Sequence, residues 1–233
     1  MNRFQVRLAR TLINVSRALS GLFWEYPPAQ LPYAGKGKCS VQVADVPVKC
    51  RRRPERTLLA RIWYPTDFCE SRSPLILYSH YLTGSRTAPP FVCEHLASHG
   101  FVAAAVNHDD PYPDWSILVD RPLDLLALLD LFTVEPEWSS KILPDKVGAA
   151  GYSMGGTTAL MLGGARINPP YYLEWCSRSP NIAQSGRDIQ RFAADWEQLS
   201  AYRTTFDASD ETLWSPFTDT RIKAVLAMAP WGA

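Results

Sequence analysis

The chain has 233 residues and is 46% apolar, enough for one substantial core. Its formal net charge of +1 leaves no excess of Lys and Arg for a nucleic-acid platform. The cysteines Cys39, Cys50, Cys69, Cys93 and Cys176 are odd in number and include no C-x-x-C pair, which indicates neither a full disulfide framework nor a zinc site. A Cys39–Cys50 bridge stays open for an exported chain.

Residues 1–37 read as an N-terminal helix and linker ahead of a domain over 38–233. Phe4, Leu8, Leu12, Val15, Leu19 and Leu22 recur three or four apart and share one helix face. That helix has three readings: docked on the domain, resting on an anionic membrane surface, or an Arg-rich transit peptide. It has no uninterrupted signal-peptide core and no run of membrane-spanning length, so the cytoplasm is the expected compartment.

The sheet is expected to begin at Cys39–Val48, where polar and apolar residues alternate. A basic turn, Arg51–Arg56, leads to a strand Leu58–Tyr64 that Pro65 stops. Pro74–Ser79 is short, apolar and expected to be buried on both faces. A helix Phe91–His99 with Gly100 as its C-terminal cap precedes the apolar strand Phe101–Val106. Arg121–Phe132 reads as an amphipathic helix with Pro122 in its first turn. Strands alternating with helices imply right-handed crossovers and a mostly parallel sheet.

Val147–Ala150 reads as a buried strand and Thr157–Leu162 as a helix. Between them stands G-x-S-x-G, Gly151-Tyr152-Ser153-Met154-Gly155, followed by Gly156. Strand, sharp turn and helix are the context of a nucleophile elbow, with Ser153 as the nucleophile. The helix behind it would aim its positive end and the Met154 N–H at an oxyanion. Asn168–Pro216 then breaks the rhythm. Its helix Arg187–Tyr202 carries a stripe of Ile189, Phe192, Trp196 and Leu199, read either as a packed surface helix or as a cap over the Ser153 pocket. The last strand is Ile222–Ala227. No His/Cys/Asp cluster has ligand spacing, so neither metal nor cofactor is expected.

Several stretches carry a family resemblance. Ser79-His80-Tyr81-Leu82-Thr83-Gly84-Ser85-Arg86-Thr87 resembles the loop after the third strand of α/β-hydrolases. Leu96–His108 is similar to the helix-to-strand passage of the platelet-activating-factor acetylhydrolases and dienelactone-hydrolase-like esterases. Ile62-Trp63-Tyr64-Pro65, Arg121-Pro122-Leu123-Asp124 and Arg221–Val225 resemble the same group. Ala229-Pro230-Trp231 is similar to cutinase-like polyester hydrolases.

The resemblance implies an α/β-hydrolase fold and a serine esterase of short-acyl esters, lipid-borne ones among them. The Leu82 and Met154 N–H groups would form the oxyanion hole. His80, Tyr81, His108, Tyr152 and Trp231 are the pocket candidates, His80 read as a structural residue under the loop or a base and His108 as a pocket residue or an out-of-order base. The resemblance also implies an acid and a histidine after the nucleophile and two strands beyond Ile222–Ala227, and the fold is expected to lack those last two strands in this chain. Here all four histidines, His80, His95, His99 and His108, precede Ser153, and Ala229 stands at one of the acid positions. Tyr81 replaces the Gly of relatives, and a side chain there is expected to crowd the loop. The alternative is a catalytically dead remnant, or a binding protein of the same fold.

Overall fold

The computed structural model describes residues 35–50, 56–66, 72–88, 90–108, 116–168, 171, 174, 178 and 216–231. Expectations for the N-terminal helix, for Arg51–Glu55 and for the helix Arg187–Tyr202 lie outside these residues. The elements are β1 (Val41–Lys49), β2 (Thr57–Pro65), β3 (Ser73–Ser79), α1 (Pro90–Ser98), β4 (Val102–Val106), α2 (Ile117–Val134), α3 (Pro136–Ser139), β5 (Ile142–Tyr152), α4 (Met154–Leu162) and β6 (Ile222–Met228).

The strands form one six-stranded sheet in the order β1-β2-β4-β3-β5-β6. β2 runs antiparallel to both neighbours, while β4, β3, β5 and β6 pair in parallel. The two central strands explain their own composition. Successive side chains alternate between the faces, so a strand covered on both sides must be apolar throughout. Leu75 and Leu77 of β3 join the core on one face, with α2 and α4 residues such as Leu125, Leu128 and Met161. Ile76 and Tyr78 join the core on the other, with Val92, Cys93 and Leu96 of α1. β4, Val-Ala-Ala-Ala-Val, is buried at every position. This order, the reversed β2 and helices on both faces make the fold an α/β-hydrolase fold.

Most sequence-derived elements stand within a residue or two of their expected bounds. α1 ends with Gly100 at φ 83°, a left-handed cap that glycine adopts without strain. Three elements differ more. α4 begins at Met154, directly after Ser153, rather than at Thr157. α2 begins at Ile117 and encloses Pro122, rather than starting at Arg121. Burial of nearly the whole helix outweighs the hydrogen bond that Pro122 cannot donate. β5 begins at Ile142 because its register with β3 shifts between Ser73 and Leu75, accommodating Pro144 and Asp145 outside the regular ladder.

Cys39 and Cys50 are both free thiols. They flank the two ends of β1, which at about 3.3 Å per residue places them on the order of 30 Å apart. The Cys39–Cys50 bridge is therefore excluded by geometry. No helix among the described residues is long and apolar enough to cross a membrane.

Candidate active site

The C-terminal ends of β3, β5 and β6 lie side by side, and each carries a residue in an uncommon backbone conformation. Among the described residues the non-glycine residues with positive φ are Thr83 (62°), Ser153 (55°) and Ala229 (42°). Such conformations are costly for residues with a Cβ and persist where the surroundings enforce them. Here they occur in the loop after β3, at the β5–α4 junction and just after β6.

Ser153 has φ 55° and ψ −120° at the N-cap of α4. The turn is sharp because its flanks are in van der Waals contact. A Cβ on Gly151 would stand 2.1 Å from the Gly155 carbonyl oxygen, and one on Gly155 would stand 2.0 Å from that of Ser79. Only glycine permits both approaches. The Ser153 backbone is stitched to the β6 end: its N–H donates to the Met228 carbonyl at 3.0 Å, and its carbonyl accepts from the Trp231 N–H at 3.2 Å. Met154 opens α4, where the first N–H groups have no intrahelical acceptor and the helix dipole is positive.

The loop after β3 crosses the first turn of α4. Gly155 packs beneath it, close to the carbonyls of Ser79 and His80. Leu82 follows in a turn closed by the Gly84 N–H donating to the Tyr81 carbonyl at 3.0 Å. Tyr81 does not crowd this turn: it is 42% exposed, so its ring lies outward. Tyr152 and Trp231 are likewise exposed at the ends of β5 and β6.

The histidines have other roles. His80 is wholly buried. Its Nδ1 lies 2.7 Å from the Tyr81 carbonyl, and its Nε2 lies 3.4 Å from the His108 backbone N–H. A carbonyl only accepts and an N–H only donates, so His80 is the neutral Nδ1–H tautomer in these two bonds. His108 is buried too. Its Nδ1 donates to Asp124 Oδ2 at 2.9 Å, and its Nε2 is 3.0 Å from Ser79 Oγ. Ser79, His108 and Asp124 thus form a serine–histidine–aspartate chain around a serine with no solvent access. Arg56 grips the same carboxylate through a fork, Nε to Oδ1 at 3.0 Å and Nη2 to Oδ2 at 2.9 Å. His80 is a buried structural residue under the loop, in line with one reading of the sequence, and His108, a candidate pocket residue or base, is buried in the same layer. His95 and His99 lie at the end of α1, which leads into the start of β4. They stand at the opposite edge of the sheet from Ser153, and His99 Nε2 donates to the Gly35 carbonyl at 3.0 Å.

Sequence reasoning missed the organising residues of this layer: Ser79, Asp124, Arg56 and Arg121. The last is fully buried and donates through Nη1 to the His80 carbonyl at 2.6 Å and through Nη2 to the Tyr81 carbonyl at 3.3 Å. One signal was available. Asp120, Arg121, Asp124 and Asp130 interrupt an otherwise apolar run, and the first three are buried, where charges need buried partners. No group of three or more His, Cys, Asp or Glu among the described residues is arranged to hold a metal ion.

Residues 65–126 match the model of a family described as platelet-activating factor acetylhydrolase, isoform II. That stretch runs from the end of β2 through the loop and His108 to Asp124, and stops before Ser153. No curated protein matches the chain. Among solved structures, hypothetical protein PA2218 from Pseudomonas aeruginosa is 21% identical, with 56% of this chain and 40% of that one covered and a TM-score of 0.43. A ferulic acid esterase from Streptomyces cinnamoneus is 19% identical, covering 55% of both chains, with a TM-score of 0.41. A bacterial heroin esterase is 22% identical, covering 62% of this chain and 43% of the other, with a TM-score of 0.43. The chain spans between 40% and 55% of the length of these structures. Its fold is that of the α/β-hydrolases, and from the end of β2 into α2 it is similar to the acetylhydrolase family.

Proposed function

We propose that this chain belongs to a serine carboxylic-ester hydrolase of short-acyl esters, including lipid-borne ones such as platelet-activating-factor-like phospholipids, with Ser153 as the acyl-accepting nucleophile. The observation that carries the reading is Ser153 itself. Its φ of 55° at a helix N-terminus, between two glycines that tolerate no Cβ, is the geometry of a nucleophile elbow.

In the reaction Ser153 Oγ attacks the ester carbonyl carbon as its proton passes to a base. The oxyanion forms against the Met154 and Leu82 N–H groups. Collapse of this intermediate expels the alcohol, and water then releases the acid from the acyl-serine. Tyr81, Tyr152 and Trp231 offer exposed aromatic surface around the strand ends for the acyl or leaving group.

The base is the feature that favours a second reading. All four histidines are among the described residues. His80 and His108 are committed to the buried layer, and His95 and His99 stand at the far edge of the sheet. A serine hydroxyl is a weak nucleophile without an adjacent base. Within these residues the chain retains only what the oxyanion hole and binding supply, about 10³ to 10⁴ over water. This favours a binding protein of hydrolase fold, or a chain whose base is supplied by another polypeptide segment.

The deciding experiment treats purified chain with a fluorophosphonate and follows p-nitrophenyl acetate hydrolysis, beside Ser153→Ala. Labelling mapped to Ser153 with turnover above Ser153→Ala supports the esterase. Absence of both, in a chain shown to be folded, sinks it in favour of the binding protein.

A further inference from the structure

We infer that Arg121 is a positioning residue of the oxyanion loop: it fixes the Tyr81–Leu82 peptide so that the Leu82 N–H faces the Ser153 side. The inference rests on the reading of Ser153 as an ester-attacking nucleophile.

The Tyr81 carbonyl accepts from Arg121 Nη2 at 3.3 Å, from His80 Nδ1 at 2.7 Å and from the Gly84 N–H at 3.0 Å. A peptide unit is planar and trans, so its carbonyl and N–H point in opposite directions. Turning the Tyr81 carbonyl toward Arg121 therefore turns the Leu82 N–H away from it. The first turn of α4 adjoins the loop: a Cβ on Gly155 would lie 2.0 Å from the Ser79 oxygen and 2.7 Å from that of His80. The local bonds from His80 and Gly84 work against one local preference. Thr83, directly after Leu82, is a β-branched residue at φ 62°, a conformation its own sequence disfavours.

Two carbonyls one residue apart require two donors held in a fixed fork. A planar guanidinium supplies them, whereas an ammonium is a point charge on a flexible stem. Burying a cation is costly unless it is well paired. The buried chain of side chains returns part of that cost. Arg121 Nη1 also lies 3.5 Å from Ser79 Oγ, and from there hydrogen bonds lead through His108 to the Asp124 carboxylate and to Arg56. The buried Ser79–His108–Asp124 set is, in this view, the brace of the arginine and its loop.

The test uses the full chain with 13C at tyrosine carbonyls and 15N at leucine. Only Tyr81–Leu82 and Tyr172–Leu173 then give cross-peaks. Arg121→Met and Arg121→Lys are compared with wild type by this spectrum and by p-nitrophenyl acetate kinetics. The oxyanion exists only in the transition state, so the loss should fall on kcat, by about tenfold to hundredfold, with KM within about threefold. Arg121→Lys should recover part of it. In both variants the Tyr81–Leu82 peak should move while Tyr172–Leu173 stays.

A folded variant with kcat within about threefold of wild type, or with an unmoved Tyr81–Leu82 peak, overturns the inference. If Arg121→Met does not fold, Arg121→Lys carries the same two readouts. If wild type shows neither turnover nor fluorophosphonate labelling, the esterase reading has failed on its own. The peak then decides the geometric inference alone: moved supports it, unmoved overturns it.

Discussion

Replacing Gly155 by alanine tests the elbow's packing with a single methyl group. Alanine is the better helix former by about 1 kcal/mol, so propensity alone predicts a gain. The structure predicts the opposite. The new Cβ would sit 2.0 Å from the Ser79 carbonyl oxygen and 2.5 Å from its carbon. Both are backbone atoms of a central strand and cannot rotate aside. Restoring ordinary contact requires β3 and α4 to part by well over an ångström, and overpacking of this kind costs about 1–3 kcal/mol or more. With an immovable neighbour the upper end applies, leaving a net loss of roughly 2 kcal/mol.

Two other glycines calibrate the series. At Gly156 the nearest atoms are the Met228 oxygen at 3.0 Å and Pro230 Cα at 3.1 Å, so a shift of a few tenths of an ångström suffices and the change should be near neutral. At Gly35 nothing lies within 4 Å. Urea unfolding measures all three, read as midpoint shifts at constant slope; 2 kcal/mol corresponds to about 1 M or somewhat less for a slope of about 2–3 kcal/mol/M. A Gly155→Ala protein that unfolds at or above the wild-type midpoint would refute the packing argument, and with it the elbow geometry.

Ser153→Gly should be more stable than Ser153→Ala by about 1 kcal/mol, because glycine relieves the strain at φ 55° that alanine keeps; equal unfolding midpoints would contradict this. Asp45 accepts hydrogen bonds from Arg61 and Arg86, which hold its carboxyl below its ordinary value of 3.8. Its contribution to stability is thus full above about pH 4 and lost as pH falls through the depressed folded value. Urea midpoints of wild type and Asp45→Asn should differ near neutrality and converge in acid; a gap that widens in acid counts against it. Burial raises the Cys93 thiol well above its usual range. In native protein Cys93 should resist iodoacetamide while partly exposed Cys39 reacts, as peptide mapping by mass spectrometry would show.

What the sequence disclosed and what it hid follow a physical division. The β3 and β4 runs, Gly100 and the elbow glycines are local signals, each set by the backbone conformation or burial of its own segment. The start of α2 was hidden because a helix buried nearly all round has no period to mark its end, and Pro122 suggested a boundary that packing overrode. The role of His108 was hidden for another reason. It stands at the same sheet edge as Ser153, and only the distant pairing with Ser79 and Asp124 shows which serine it serves. Arg56 illustrates the same limit: in sequence it closes a basic turn, and in space it neutralises a carboxylate 68 positions away.

The strand order also sets a timetable for synthesis. β2 and β3 leave the ribosome before β4 but do not pair with each other; β4 must arrive and slot between them. β3 then keeps one apolar edge open until Val147–Gly151 emerges to pair with Leu75–Ser79. At roughly 5–20 residues per second, the interval from Val106 to Val147 lasts about 2–8 s. During that time Leu75, Ile76, Leu77 and Tyr78, all buried in the finished protein, present an unpaired edge to the cell. The strand that ends this exposure is the one that delivers Ser153. A mutation that delays β5 docking should therefore show itself as aggregation of nascent chains before it shows itself in any property of the folded molecule.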